Sequence, residues 1–385
     1  MPPSSTVLAL NNALFSGAAL ACVVAGILIA ASSFTAGRAA RVRRWVAASF
    51  GLKAIAFASA VPWIVERANA RFTDSVSFLV SYGTSPLWCA TMIIVARMWR
   101  NGQVPPSFGV AVSGVAIASL VAMTSLWLLT PPTDLAGSIS AKLAEHPAGM
   151  ALVLAYAISL SVGLITLLSA CRRHADEVAA GTAPIVRTAV SIISCGVVLY
   201  LCFAAIQGAK AIFGARGTPW VALEYLTAPV SIGAAAFLAA GFAYPEVRYR
   251  WLDLARQTNA KRTCRTLMPL WTDLSASRGG TSAPWFAEAD AEIRVYRMMV
   301  DIHDSLVHLA PLLPDSSEHR TPQSSADFAR EIHGALRMRE SGADSEGEQG
   351  FGAITRRPDL PLDEQICWLR EVARDYQSLT VRKRS

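Results

Sequence analysis

Seven runs of mostly apolar residues, each long enough to cross a bilayer, fill positions 11–242, and the charges collect after them. A crossing helix needs about 20 such residues, because lipid offers the backbone no hydrogen-bond partner outside the helix. The runs are 11–33, 45–64, 75–97, 108–129, 148–170, 188–209 and 220–242. Only 16% of the 385 residues are charged, whereas a soluble chain carries about a quarter. The pattern implies an all-α polytopic membrane protein: a short N-terminus at 1–10, seven transmembrane helices, and a small helical soluble domain.

Lys and Arg in the connections set the direction of threading. One side holds Arg38, Arg41, Arg43, Arg44, Arg97, Arg100, Arg172, Arg173, Arg187 and then the basic stretch from Arg248 to Arg265. The other side holds only Arg67, Arg71, Lys142, Lys210 and Arg216. The expectation is a multi-pass plasma-membrane protein with its N-terminus outside and its C-terminus cytoplasmic. The net charge of +7 is therefore a topology signal, and a nucleic-acid partner is not expected. No Lys or Arg precedes Arg38, so the first run reads as a retained helix rather than a cleavable signal. The seven cysteines form no CxxC pair and none falls in an outer connection, so no structural disulfide is expected.

Inside the third run stands "SYGTSP" at 81–86, echoed in the seventh by "EYLTAP" at 224–229. Tyr82, Thr84 and Pro86 recur as Tyr225, Thr227 and Pro229, 143 positions on (82 to 225). The same offset carries Arg44 onto Arg187 and Arg67 onto Lys210. Two readings stand: a three-one-three duplication with parallel triplets, or chance recurrence of common membrane residues. Each proline frees the carbonyl four residues earlier, that of Tyr82 or Tyr225, and Thr84, Ser85 and Thr227 are the hydroxyls nearest to them. Such turns belong against protein or water rather than lipid. They either shape the bundle alone, or flank a polar pocket or act as hinges. At about 1.5 Å per residue, Tyr82, Tyr225 and Tyr156 fall at similar depths, about 8–12 Å from the outer end, which points to an outward-facing pocket. Thr124 and Ser125 lie close to that depth.

Two charges sit within the runs, Lys53 and Glu224. Side chains tilt toward their helix N-terminus, so Lys53 leans inward and Glu224 outward, and they do not pair. Lys53 is expected to snorkel toward the cytoplasmic face; Glu224 reads either as interfacial or as part of a substrate or proton site. The seventh run lacks a lysine, so a retinal Schiff base has no anchor there.

Beyond the seventh run, 245–275 reads as a basic amphipathic juxtamembrane segment near anionic headgroups, and 276–385 as a helical domain with a flexible loop near 341–361. Ile293, Tyr296, Val300, His303 and Val307 mark an apolar stripe in 288–312. Phe328, Ala329, Ile332 and Leu336 mark another in 325–340, with Ser324 or Ser325 as N-cap; Ile366, Leu369, Ala373 and Tyr376 mark a third in 362–378. "DIHDSLVH" is the one stretch with catalytic residue types. His303 and His308 are five apart and share no face, while Asp304 and His308 can pair as surface charges. No phosphate-binding loop or metal motif occurs. No enzyme activity, cofactor or metal is expected.

The segments "CRTLMPLWTDL" (264–274) and "RVYRMMVDIHDSLVHLAPLL" (294–313) resemble the C-terminal domain of unknown function in actinobacterial seven-helix membrane proteins, which carry a provisional transporter label. The resemblance rests on Leu267, Pro269, Leu270, Trp271 and Leu274, then Tyr296, Arg297, Ile302, Asp304, Leu309 and Pro311, with "DEQICWLREVARDY" (363–376) as closing helix. At His303 this chain departs from a pattern that places Arg beside the Asp. The resemblance implies a small-solute transporter. The alternative is a sensor or signalling scaffold that relays to a cytoplasmic protein through 276–385. Membrane lipids and a small-molecule solute are the other expected partners.

Overall fold

The computed structural model describes residues 5–31, 38–71, 76–130, 139–179, 184–218, 221–278, 290–313, 324–341 and 361–381. Every regular element among them is helical, and the chain forms two compact units, Met1–Tyr249 and Arg250–Ser385. The first contains α1 (Ser5–Ala31), α2 (Arg38–Ala58), α3 (Pro62–Arg71), α4 (Val76–Asn101), α5 (Pro106–Leu128), α6 (Ile139–Ala144), α7 (Pro147–Ala179), α8 (Pro184–Ala215) and the start of α9 (Val221–Ser277).

Among the described residues, six helices are long and apolar enough to cross a membrane, or seven if α2 and α3 together count as one span. The second run, read as one span over 45–64, breaks: α2 and α3 meet at a 76° bend. Pro62 explains the position. It lacks the N–H that would bond the carbonyl of Ala58, and it pushes Val61 out of helical geometry. The amides of Ala60 and Val61 turn to Phe57 and Ala58 in a tighter three-residue pattern. The seventh run and the juxtamembrane segment, read as separate, are one 57-residue helix, α9.

The apolar surface faces outward as well as inward. Of α5, only Ala116 and Met123 are buried, while Val110, Val115 and Leu128 are largely exposed, as are Leu20, Ile158 and Val198 on other helices. A water-soluble bundle would bury such faces, whereas lipid accepts them. Exposed hydroxyls are satisfied within their own helices: Ser125 donates to the Val121 carbonyl, Thr166 to Val162 and Ser169 to Ile165. That is how lipid-facing Ser and Thr avoid an orphaned polar group. The core runs along α4, which packs against α2, α3, α5 and α7.

The second unit has its own core. Cys264, Leu267, Leu270, Trp271 and Leu274 project from α9 at three- and four-residue spacing. They meet α10 (Ala291–Leu309), α11 (Ser325–Glu340) and α12 (Leu362–Val381). The stripes on α11 and α12 face this core, and Ser324 caps α11 by accepting from the Asp327 amide at 3.2 Å. The stripe on α10 does not. Ile293, Tyr296, Val300 and Val307 are exposed, and the buried face is Val295, Met298, Ile302, Leu306 and Leu309. That helix is apolar on two sides, so periodicity alone leaves its inward side ambiguous. The loop expected near 341–361 lies, apart from its ends, outside the described residues.

The hydroxyl of Tyr376 donates to Asp273 at 2.7 Å. Burial first, and then this carboxylate, hold the phenol well above its ordinary range. The folded state thus keeps a proton that the unfolded chain releases near pH 10, and stability is lost as pH rises past that point. Residues 250–385 expressed alone should therefore lose stability above about pH 10. Tyr376→Phe should remove that alkaline slope while lowering stability at neutral pH by about 1 kcal/mol. Denaturant titrations across pH read both; an unchanged slope in the variant would assign it elsewhere.

Candidate functional site

The arginine-bearing helix ends surround a cavity of about 220 Å3. Ile29 of α1, Val42 and Val46 of α2, Val190 and Ile193 of α8, and Gly241, Phe242 and Pro245 of α9 give it apolar walls. Arg43, Trp99 of α4 and His174 of α7 add the polar and aromatic groups. The Trp99 ring lies 6.3 Å from His174, nearly parallel to it, and 5.7 Å from Phe242. Arg43 Nε sits 3.7 Å from a Glu246 oxygen. An always-charged guanidinium and an imidazole that can donate an N–H suit an anionic group, and the walls suit an apolar body. Among the residues that line the cavity there is no nucleophile with an adjacent base.

Phe242 also lines a second, smaller chamber of about 10 Å3. Here lies Lys53. It does not snorkel: it is only 7% exposed, with its ammonium 4.2 Å from the Trp88 ring centre and 4.6 Å from that of Tyr200. Ring faces attract a cation at such distances. Two aromatic partners on other helices, α4 and α8, hold the side chain inside the bundle. Among the described residues, Lys53 has no carboxylate partner.

The paired turns go different ways. Tyr82 is 6% exposed and stacks on Tyr156 with ring centres 4.0 Å apart and an angle of 14°. Phe78 packs at 3.8 Å on one side of this pair and Phe203 at 6.4 Å on the other. Pro86 is buried, and α4 continues through it. Tyr225, by contrast, is 71% exposed, and Pro229 is exposed too. The structure therefore brings Tyr82, Pro86 and Tyr156 into the interior and leaves Tyr225 and Pro229 on the outside of the bundle. The side chain of Glu224 lies outside the described residues. Thr84 donates to the Ser81 carbonyl at 3.0 Å and Thr227 to that of Leu223 at 2.7 Å. Neither serves the freed Tyr carbonyl, because a helical hydroxyl reaches three or four residues back and each tyrosine is only two back. Lys210, read as a connection residue, is buried inside α8 near the equally buried Gln207.

Sequence reasoning missed the larger cavity. Its Trp, His, Phe and Arg members are single residues on four different helices, and no local motif joins them.

In the second unit His303 donates from Nδ1 to its own helix, at the Met299 carbonyl (2.9 Å). Asp304 and His308 do not pair. Trp271 Nε1 donates instead to Asp301 at 3.0 Å. Among the described residues, no group of His, Cys, Asp and Glu can hold a metal ion. The model of a family of unknown function matches residues 250–378. This stretch is a DUF6545 domain. It coincides with the second compact unit, and the resemblance positions Leu267, Leu270, Trp271, Ile302 and Leu309 are all core residues of the DUF6545 domain. They specify packing, not chemistry. No curated protein and no solved structure matches the chain.

Proposed function

We propose that this protein is a membrane-embedded sensor: its helical bundle binds a small molecule with an apolar body and a negative charge, and α9 carries the occupancy to the DUF6545 domain. The observation that carries this reading is the double use of one helix. Gly241, Phe242 and Pro245 of α9 line the cavity, and Leu267, Leu270 and Leu274 of the same helix build the domain core. A ligand shifts an equilibrium only through differential contacts with the two states, and α9 is the element on which both sites draw. The domain then engages a cytoplasmic protein; the reading assigns it no catalysis.

The topology belongs to the same proposal. With α2 and α3 as one bent span, the bundle crosses the plasma membrane seven times, N-terminus outside. The arginine ends, the cavity mouth and residues 250–385 then face the cytoplasm, so the cavity opens inward. A fluorescent-protein fusion at the C-terminus should glow, and an alkaline phosphatase fusion there should be inactive; the reverse would turn the bundle over.

Decanoate is a suitable probe. It should raise the unfolding temperature of the full-length protein and change hydrogen exchange within 250–378, while decyltrimethylammonium does neither. Arg43→Gln should weaken the decanoate effect about tenfold, the scale of one lost charge-assisted contact. Decanoate binding without a change in the domain would end the relay reading. Transport of the same solute is the second reading, favoured by Phe242, which stands between the cavity and the deeper chamber. Flux in proteoliposomes that survives deletion of 250–385 would select it.

A further inference from the structure

We propose that the chamber around Lys53 is a binding site for one small monovalent anion of halide size. Three observations converge on it. Lys53 is more than nine-tenths buried and projects into the chamber, among α1, α2, α4, α8 and α9. None of the chamber's lining residues is acidic, and among the described residues no carboxylate pairs with the lysine. The chamber's volume of about 10 Å3 is that of a single water-sized occupant.

The chemistry follows from the rings. An ammonium removed from water must be compensated, and a charge buried in a membrane protein marks a functional position by default. Trp88 and Tyr200 present ring faces to it, an arrangement that stabilises the charged amine and does nothing for the neutral one. The pocket is thus organised to keep the charge. Ring faces supply only part of what water supplied, and they leave the chamber side open. The Ser49 hydroxyl, which lines the chamber, is committed to the Val46 carbonyl at 2.7 Å, so it does not offer its proton to the lysine's surroundings. No described residue supplies the counter-charge, which the proposal assigns to solution, and the space admits a halide but not a carboxylate with a chain. Phe242 separates this site from the larger cavity, so the inference stands however that cavity is used.

The test uses the full-length protein purified in sodium gluconate and titrated with sodium chloride or bromide at constant ionic strength. A saturable rise in unfolding temperature is expected, with apparent affinity at least tenfold weaker in Lys53→Met. That variant replaces a buried charge by an apolar side chain of similar length, a change that buried sites accept well. Equal unfolding temperatures in gluconate and chloride would overturn the proposal, as would a halide response kept intact by Lys53→Met. If the variant does not fold, bromide anomalous diffraction from wild-type crystals decides: a peak beside Lys53 Nζ upholds the site, and an empty chamber removes it.

Discussion

Gly241→Leu is expected to prevent the first unit from assembling stably. A Cβ placed on Gly241 would lie 2.5 Å from Ile193 Cγ1 and 2.9 Å from the Ile193 backbone nitrogen. The relation is reciprocal, for a Cβ on Gly196 would lie 2.9 Å from the Leu238 backbone nitrogen and 3.1 Å from the Ala234 carbonyl oxygen. Two glycines on facing helices thus let the backbones of α8 and α9 touch. Close approach of this kind, rather than a hydrophobic driving force, is what joins helices in lipid. Leucine brings in four carbons where not one fits without moving backbone, and overpacking of that sort costs about 1–3 kcal/mol or more. At roughly 2–4 °C per kcal/mol for a unit of this size, the unfolding temperature should fall by about 5–10 °C or the protein should aggregate on extraction. Gly208→Leu is the control, since a Cβ there meets nothing within 4 Å. Equal stability of the two variants would show that the α8–α9 crossing is looser than drawn. Because Gly241 and Ile193 also line the larger cavity, decanoate binding should fail along with the fold.

Helix positions were legible because burial in lipid demands long apolar runs, and such runs are readable without knowing what packs on what. The breaks were less so. Pro62 sits inside a run that looks continuous by hydropathy, yet it ends α2; Pro86 and Pro229 sit inside runs too, yet α4 and α9 continue through them. A proline permits a break, and the surrounding packing decides whether one occurs. The tyrosine turns make the same point about pattern and environment. Tyr82 and Tyr225 occupy matching positions in matching motifs, but the first faces Tyr156 and the second faces outward, since local sequence does not say which side of a helix meets its neighbours. The face of α10 was misjudged for that reason. Lys53 was visible as a charge; its two rings come from α4 and α8, and only the fold brings them together.

Leu270→Asp should unfold the DUF6545 domain while leaving the membrane unit in place. Leu267, Leu270 and Leu274 are fully buried on one face of α9, against Met298, Ile302, Leu309 and Leu369 of the neighbouring helices. Removing such a leucine costs about 2–5 kcal/mol through lost contacts and residual cavity. An aspartate in its place adds a buried charge with no partner, worth several kcal/mol more unless the group takes up a proton. Against a domain stability of about 5–15 kcal/mol, the sum is decisive. Thr272→Asp provides the comparison: it lies two residues along the same helix but is exposed, its hydroxyl occupied only with the Met268 carbonyl. Limited proteolysis of Leu270→Asp should digest the region after Tyr249 and leave a stable fragment of residues 1–249, while Thr272→Asp resists. The membrane unit has a core of its own, so the variant should still gain thermal stability from decanoate. Loss of that response would mean that the two units fold as one, and that binding and relay are not separable properties of this chain.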